Sequence, residues 1–158
     1  DKVHVKLPLY KYTGAQGEKM VRVSEEGQSA HTIFRVLQRF SGPLLHQIGL
    51  SDLTYIEATL KTGRTHQIRV HMQSQACPIA GDERYGDYQA NKRLQKIGLK
   101  RMFLHAAELH LSHPLTDEPL KLVAPLPQEL AQMMAMLENS QSKPTELQTD
   151  SLLKKIIH

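Results

Sequence analysis

The chain is poor in the groups that announce disulfide, thiolate-metal or membrane chemistry. It has one cysteine, Cys77, no tryptophan, five tyrosines and three phenylalanines in 158 residues. A lone cysteine excludes an internal disulfide framework and any site needing several thiolates, so a reducing cytoplasm is the simplest compartment. No apolar run approaches the roughly 18 residues of a membrane helix, and Asp1 to Tyr12 lack the basic, apolar and small-residue order of a secretory leader. Neither membrane insertion nor secretion is expected. The positive excess is also small, 20 Lys plus Arg against 16 Asp plus Glu, for a net +4. That balance permits a nucleic-acid partner without demanding one.

What is present is enough for one ordinary core, since 40% of the residues are hydrophobic. Glu18 to Val23 reads as a strand, and Ser24 to Gly27 as a polar turn. Ala30 to Phe40 reads as a second strand, although Ile33, Phe34, Leu37 and Phe40 also satisfy helical spacing. Ser41-Gly42-Pro43 breaks the chain. Leu53 to Leu60 is the better strand, rich in β-formers such as Tyr55, Ile56 and Thr59. A short helix is expected over His66 to Ala76, capped by Thr65, with Ile68 and Met72 toward the core. Gly81-Asp82 and Gly86-Asp87 enclose Tyr85 in a loop. Leu94 to Lys100 reads as a brief helix, Met102 to Leu111 and Leu120 to Val123 as strands, and Gln128 to Leu137 as a helix. The domain therefore spans 1–138. A polar tail, 139–158, follows, in which Leu152 to His158 carries enough aliphatics for a short terminal helix.

The chemistry concentrates in Gly63-Arg64-Thr65-His66-Gln67-Ile68-Arg69-Val70-His71. A glycine that lets the backbone turn, a helix N-terminus and two arginines suit an anion, with phosphate the obvious guest. On a helix starting at Thr65, His66, Arg69 and Gln73 share one face and Arg69 points to a polar cleft. Pattern alone does not separate this from an ordinary solvated arginine in a weak surface ion pair.

The segments GRTHQIRVHM, PIAGDERYGD, FLHAAELHLSHP and VAPLP, in this order and spacing, resemble the RluA-type RNA pseudouridine synthases. The likeness runs from about Leu7-Pro8-Leu9 to Pro127. Between Tyr85 and Phe103 it is most like the branch acting on large-subunit ribosomal RNA. The resemblance implies an α+β fold, a mixed and mostly antiparallel sheet flanked by helices, as the C-terminal part of the family's catalytic domain. It implies a cofactor-free isomerase that breaks the N-glycosidic bond of a uridine, turns the uracil and joins C5 to C1′. It also implies a partner: structured RNA, with 23S ribosomal RNA the expected substrate.

In that family the nucleophile is an aspartate in an upstream His-Arg-Leu-Asp block. Neither this block nor a second upstream block bearing a tyrosine occurs in the sequence. A piece of a longer protein is therefore expected, inactive alone, exposing sheet edges to itself or to the missing N-terminal part of the same domain. Arg69 matches the arginine that pairs with the nucleophile, where a nearby cation favours the carboxylate form. Its role is then empty in this chain. Arg64, Thr65, His66, Gln67 and His71 are expected RNA or substrate contacts. Tyr85 and Leu104 are expected beside the pocket of a flipped base, with packing the commoner role for Leu104. Asp82 is discounted as a substitute nucleophile, because an aspartate after glycine ordinarily caps a turn.

Two other function classes compete. His66, His71, His105, His110 and His113 are numerous enough for a zinc hydrolase, but a five-residue spacing without an accompanying glutamate does not place two ligands on one helix face. No metal is expected. A non-catalytic RNA-binding module with the same fold remains the alternative, its surface drawn from Arg22, Arg35, Arg64, Arg69, Arg84, Lys92, Arg93 and Lys96.

Overall fold

A computed structural model describes residues 2–141. The expected tail helix, Leu152 to His158, lies outside the described residues. The elements run β1 (Lys2–Val5), β2 (Leu9–Thr13), β3 (Lys19–Val23), β4 (Thr32–Ser41), α1 (Pro43–Gln47), β5 (Asp52–Leu60), α2 (Gln67–Ser74), α3 (Tyr88–Gln95), β6 (Glu108–Ser112), β7 (Pro119–Val123) and α4 (Gln128–Ser140). The fold is α+β and its strand pairs are antiparallel, as expected.

The centre is a three-stranded sheet in the order β1-β4-β5. β4 is a strand, which resolves the ambiguity over Ala30 to Phe40: Thr32, Phe34 and Phe40 point inward, and Leu37 is exposed. A bulge between Val36 and Gln38 sets two residues of β4 against one step of β5. Phe34 and Val36 therefore oppose Ala58 and Ile56, whereas Gln38 and Phe40 oppose Tyr55 and Leu53. The inward face of β5 changes parity there, so one strand serves two cores. Ile56 and Ala58 pack with Val5, Phe34 and Met72, while Leu53 and Tyr55 pack with Phe40, Leu45 and Leu130.

Helix α4 closes the second core with Leu130, Met133 and Leu137, spaced three and four apart on one face. A third cluster joins the β2–β3 hairpin to α2 through Leu9, Val21, Ala30, Val70 and Tyr85. Among the described residues the β6–β7 hairpin pairs only with itself and leaves Leu109, Leu111, Leu122 and Val123 exposed. Its cross-strand pairs Leu109–Leu122 and Leu111–Leu120 share one apolar face.

Several boundaries differ from expectation. β1, β2 and α1 are short elements whose patterns were too brief to register. Helix α3 starts at Tyr88, six residues before the expected helix, because Asp87 caps it by accepting from Ala90 N at 2.8 Å. Residues 102–107 are irregular rather than extended, since Phe103 N donates to Ala80 O and ties the segment to the Gly81 loop.

Leu130 is fully enclosed. Leu130→Ala is expected to lower stability by about 2 to 5 kcal/mol, read as an earlier midpoint in urea unfolding.

Candidate functional site

Helix α2 stands on polar pins rather than on hydrocarbon alone. Gln67, Val70 and His71, at i, i+3 and i+4, are all buried. Gln67 Nε2 donates to His31 O and Thr32 Oγ1, while its Oε1 accepts from Thr62 Oγ1 and Arg64 N at 2.8 and 2.9 Å. His71 Nε2 donates to Leu7 O at 2.9 Å, which leaves Nδ1 to accept from Thr32 Oγ1 at 2.8 Å. Every polar atom of the pair is thus spent inside the protein. Gln67 and His71, both expected as RNA contacts, present no free side-chain group to a ligand. Met72 is buried and Ile68 half-buried against the Phe34 cluster.

The helix does not begin at Thr65. His66 occupies the cap position in the left-handed region, φ 53°, with no side-chain cap bond. Gln67 substitutes for a cap by reaching back to Arg64 N. The left-handed kink turns His66 toward Tyr85, whose hydroxyl lies 2.9 Å from Nδ1. That hydroxyl accepts Val21 N–H at 2.9 Å, so its own proton is available to a neutral imidazole. Burial, and then the cations Arg69 and Arg84, hold the His66 pKa below its ordinary value and so favour the neutral imidazole.

Arg69 has a partner. Its Nε and Nη2 donate to Asp82 Oδ2 and Oδ1 at 2.7 and 2.8 Å, a two-pronged ion pair. Asp82 Oδ1 also accepts from Arg84 N and Tyr85 N, both at 2.9 Å. The Tyr85 ring lies 4.8 Å from the Arg69 guanidinium carbon, under the cation. Gly81 precedes this turn at φ 75°, and a Cβ there would strike Arg101 O, so the tight approach needs glycine. Burial opposes ionisation of Asp82, but Arg69 and the two backbone N–H groups outweigh it and lower its pKa. The same bonds raise the pKa of Arg69.

The loop thirteen residues on supplies a counter-ion for Arg69, a partner distinct from the absent nucleophile expected for it. A cavity of about 260 Å³ opens on this pair, lined by Arg69, Gly81, Asp82, Glu83, Arg101 and Met102. Of the expected residues, only Arg69 lines it. Tyr85 is buried behind the arginine, Leu104 is half-buried outside the lining, and Arg64 and Thr65 line a separate cleft. Arg101 and Met102 were missed, because nothing in their local pattern signals a cavity; they arrive through the Phe103–Ala80 tie. Among the described residues no group of three or more His, Cys, Asp or Glu could hold a metal ion.

A sequence model described as RNA pseudouridylate synthase matches residues 1–74, a span that includes Arg69 but stops short of Asp82. The chain is 39% identical over 138 residues to "Ribosomal large subunit pseudouridine synthase C" of Pasteurella multocida, covering 87% of this chain and 39% of the relative. It is 40% identical to the protein of that name from Escherichia coli K12, covering 86% and 40%. The chain thus spans about two fifths of the curated relatives it matches. Among solved structures, human RNA Pseudouridylate Synthase Domain Containing 1 aligns over 91% of this chain and 62% of its own, with TM-score 0.61 and 21% identity. That likeness is one of fold.

Two outcomes follow from the geometry. His71→Ala strands buried polar groups, and should cost about 1 to 3 kcal/mol for each in chemical denaturation. Because the folded pKa of Asp82 lies below its ordinary 3.8, its stabilisation is complete above that value and is lost as pH falls through the lowered pKa. Acid unfolding followed by circular dichroism should show this loss in the wild type and not in Asp82→Asn, which starts less stable.

Proposed function

Because the chain belongs to the RNA pseudouridylate synthase family, we propose that it is the arginine-bearing part of an isomerase converting uridines of RNA to pseudouridine. The substrate proposed is large-subunit (23S) ribosomal RNA, by analogy with the names of the relatives. No helix among the described residues is long and apolar enough to cross a membrane, and the location proposed is the cytoplasm.

The observation that carries the reading is the Arg69 guanidinium, fixed in orientation and open to a cavity. Asp82 is a poor candidate for the nucleophile. Its side chain is enclosed, and its oxygens already take four hydrogen bonds. Its part is to hold Arg69 by Nε and Nη2. That leaves Nη1 outside the ion pair, available to a second carboxylate. We assign that carboxylate to the aspartate of the His-Arg-Leu-Asp block, in the N-terminal part of the catalytic domain. Next to Arg69 it would be ionised and oriented toward the reacting sugar or base. The isomerisation is redox-neutral, breaking C1′–N1 and forming C1′–C5, so it needs no cofactor. His66 stands behind Tyr85 and acts by positioning it.

The test supplies the missing group. Pseudouridine in ribosomal RNA transcripts is measured for this chain alone and for the chain joined to the segment carrying the block. Product is expected only from the joined protein, with Arg69→Lys lowering the rate roughly a hundred- to a thousandfold through loss of the two-pronged geometry. Product from the chain alone would make Asp82 the nucleophile. RNA binding without product from the joined protein would favour a non-catalytic RNA-binding module.

A further inference from the structure

A second cleft, of about 450 Å³, lies between the β2–β3 hairpin and the turn Gly63 to Thr65. Val21 lines it and donates its N–H to the Tyr85 hydroxyl, and the Tyr85 ring lies under Arg69. The two cavities are thus linked through the Val21 backbone N–H and the side chains of Tyr85 and Arg69. The cleft has two cations on its lining, Lys11 and Arg64, against one carboxylate, Glu26. Arg64 Nε donates to Ser29 O at 3.1 Å, which fixes the exposed guanidinium at the rim.

Tyr10 lines the hairpin side of the cleft and also belongs to a surface beside it. The hairpin register pairs Tyr10 with Arg22 on one face, and the Arg22 guanidinium lies 5.6 Å from the ring centroids of both Tyr10 and Tyr12. The two rings are 37% and 40% exposed. On the opposite face Leu9 and Val21 are buried against Val70 and Tyr85, so the aromatic face is held on an anchored support. It is therefore presented to solvent with little loss of freedom left to incur on binding.

A cleft of this volume, part apolar and part cationic, suits a small organic ligand carrying negative charge. Unpaired RNA strands meet such surfaces with both of their groups: phosphates on Lys and Arg, and bases stacked on aromatic rings and guanidinium planes. We infer that this cleft, with the adjoining Tyr10–Arg22–Tyr12 surface, holds a second nucleotide of the RNA strand, flanking the uridine delivered to Arg69. The inference rests on RNA being the substrate. Lys11 pairs with Val21 and shares its face, whereas Tyr10 projects from the other, so the nucleotide crosses the β2 edge with its phosphate on Lys11 and Arg64 and its base on Tyr10.

The experiment is a titration of this chain with fluorescently labelled single-stranded oligouridylate, over a range of salt. Tyr10→Ala should weaken binding roughly five- to a hundredfold with little change in salt dependence. Lys11→Ala should weaken it and reduce the salt slope by about one. Both positions are exposed, and circular dichroism checks that the variants remain folded. Affinities equal to wild type in both variants overturn the subsite while leaving RNA as the substrate. A wild type that binds no oligouridylate overturns RNA recognition by this chain, and the subsite with it.

Discussion

The ion pair between Arg69 and Asp82 is the interaction on which the site is built. It joins α2 to the loop before α3 with two hydrogen bonds of 2.7 and 2.8 Å, and its carboxylate shapes the turn by accepting Arg84 N and Tyr85 N. That turn presents the Tyr85 ring to the guanidinium and its hydroxyl to β3. Three separate pieces of chain are thereby referred to one planar cation. Such a pair adds little net stability over a well-packed apolar substitute, because desolvation offsets most of the attraction. Its value is orientation: a guanidinium held by one edge offers its remaining donors in a set direction.

Beneath the arginine, the helix is held in register by groups that at first sight belong to a binding motif. Gln67 and His71 lock α2 against β4 and the β1–β2 connection through Thr32, His31 and Leu7. A hydrocarbon contact would tolerate sliding by a fraction of an ångström; a satisfied buried network does not, since any slip strands a polar group. The motif Gly63 to His71 therefore divides its labour. Arg64 and Arg69 each line a cavity, and Gln67 and His71 keep them in place.

The fold around this device is thin. One short sheet divides its faces between two cores by means of the bulge at Val36 and Gln38, and the hairpins are attached at its margins. The apolar face of β6–β7 is exposed among the described residues.

Strands with strong β-formers and the helix over Gln128 to Leu137 were legible, because they depend on local propensity and period, and the α+β class came with the family resemblance. So were the location of the motif and its family, which depend on residue order alone. The short strands β1 and β2 were not legible, since four or five residues carry too little pattern. Nor was the start of α3, where a single cap outweighed the apolar spacing. By itself, then, the sequence determined that a chain of this class carries an arginine-rich turn and helix of a known kind. Tertiary structure alone decided that Asp82 is the counter-ion of Arg69, that His71 and Gln67 are pins, and that Arg101 and Met102 line the cavity. The reason is that pairing across thirteen or more residues is set by how α2, the Gly81 loop and the Phe103 segment pack together, and no local pattern carries that distance.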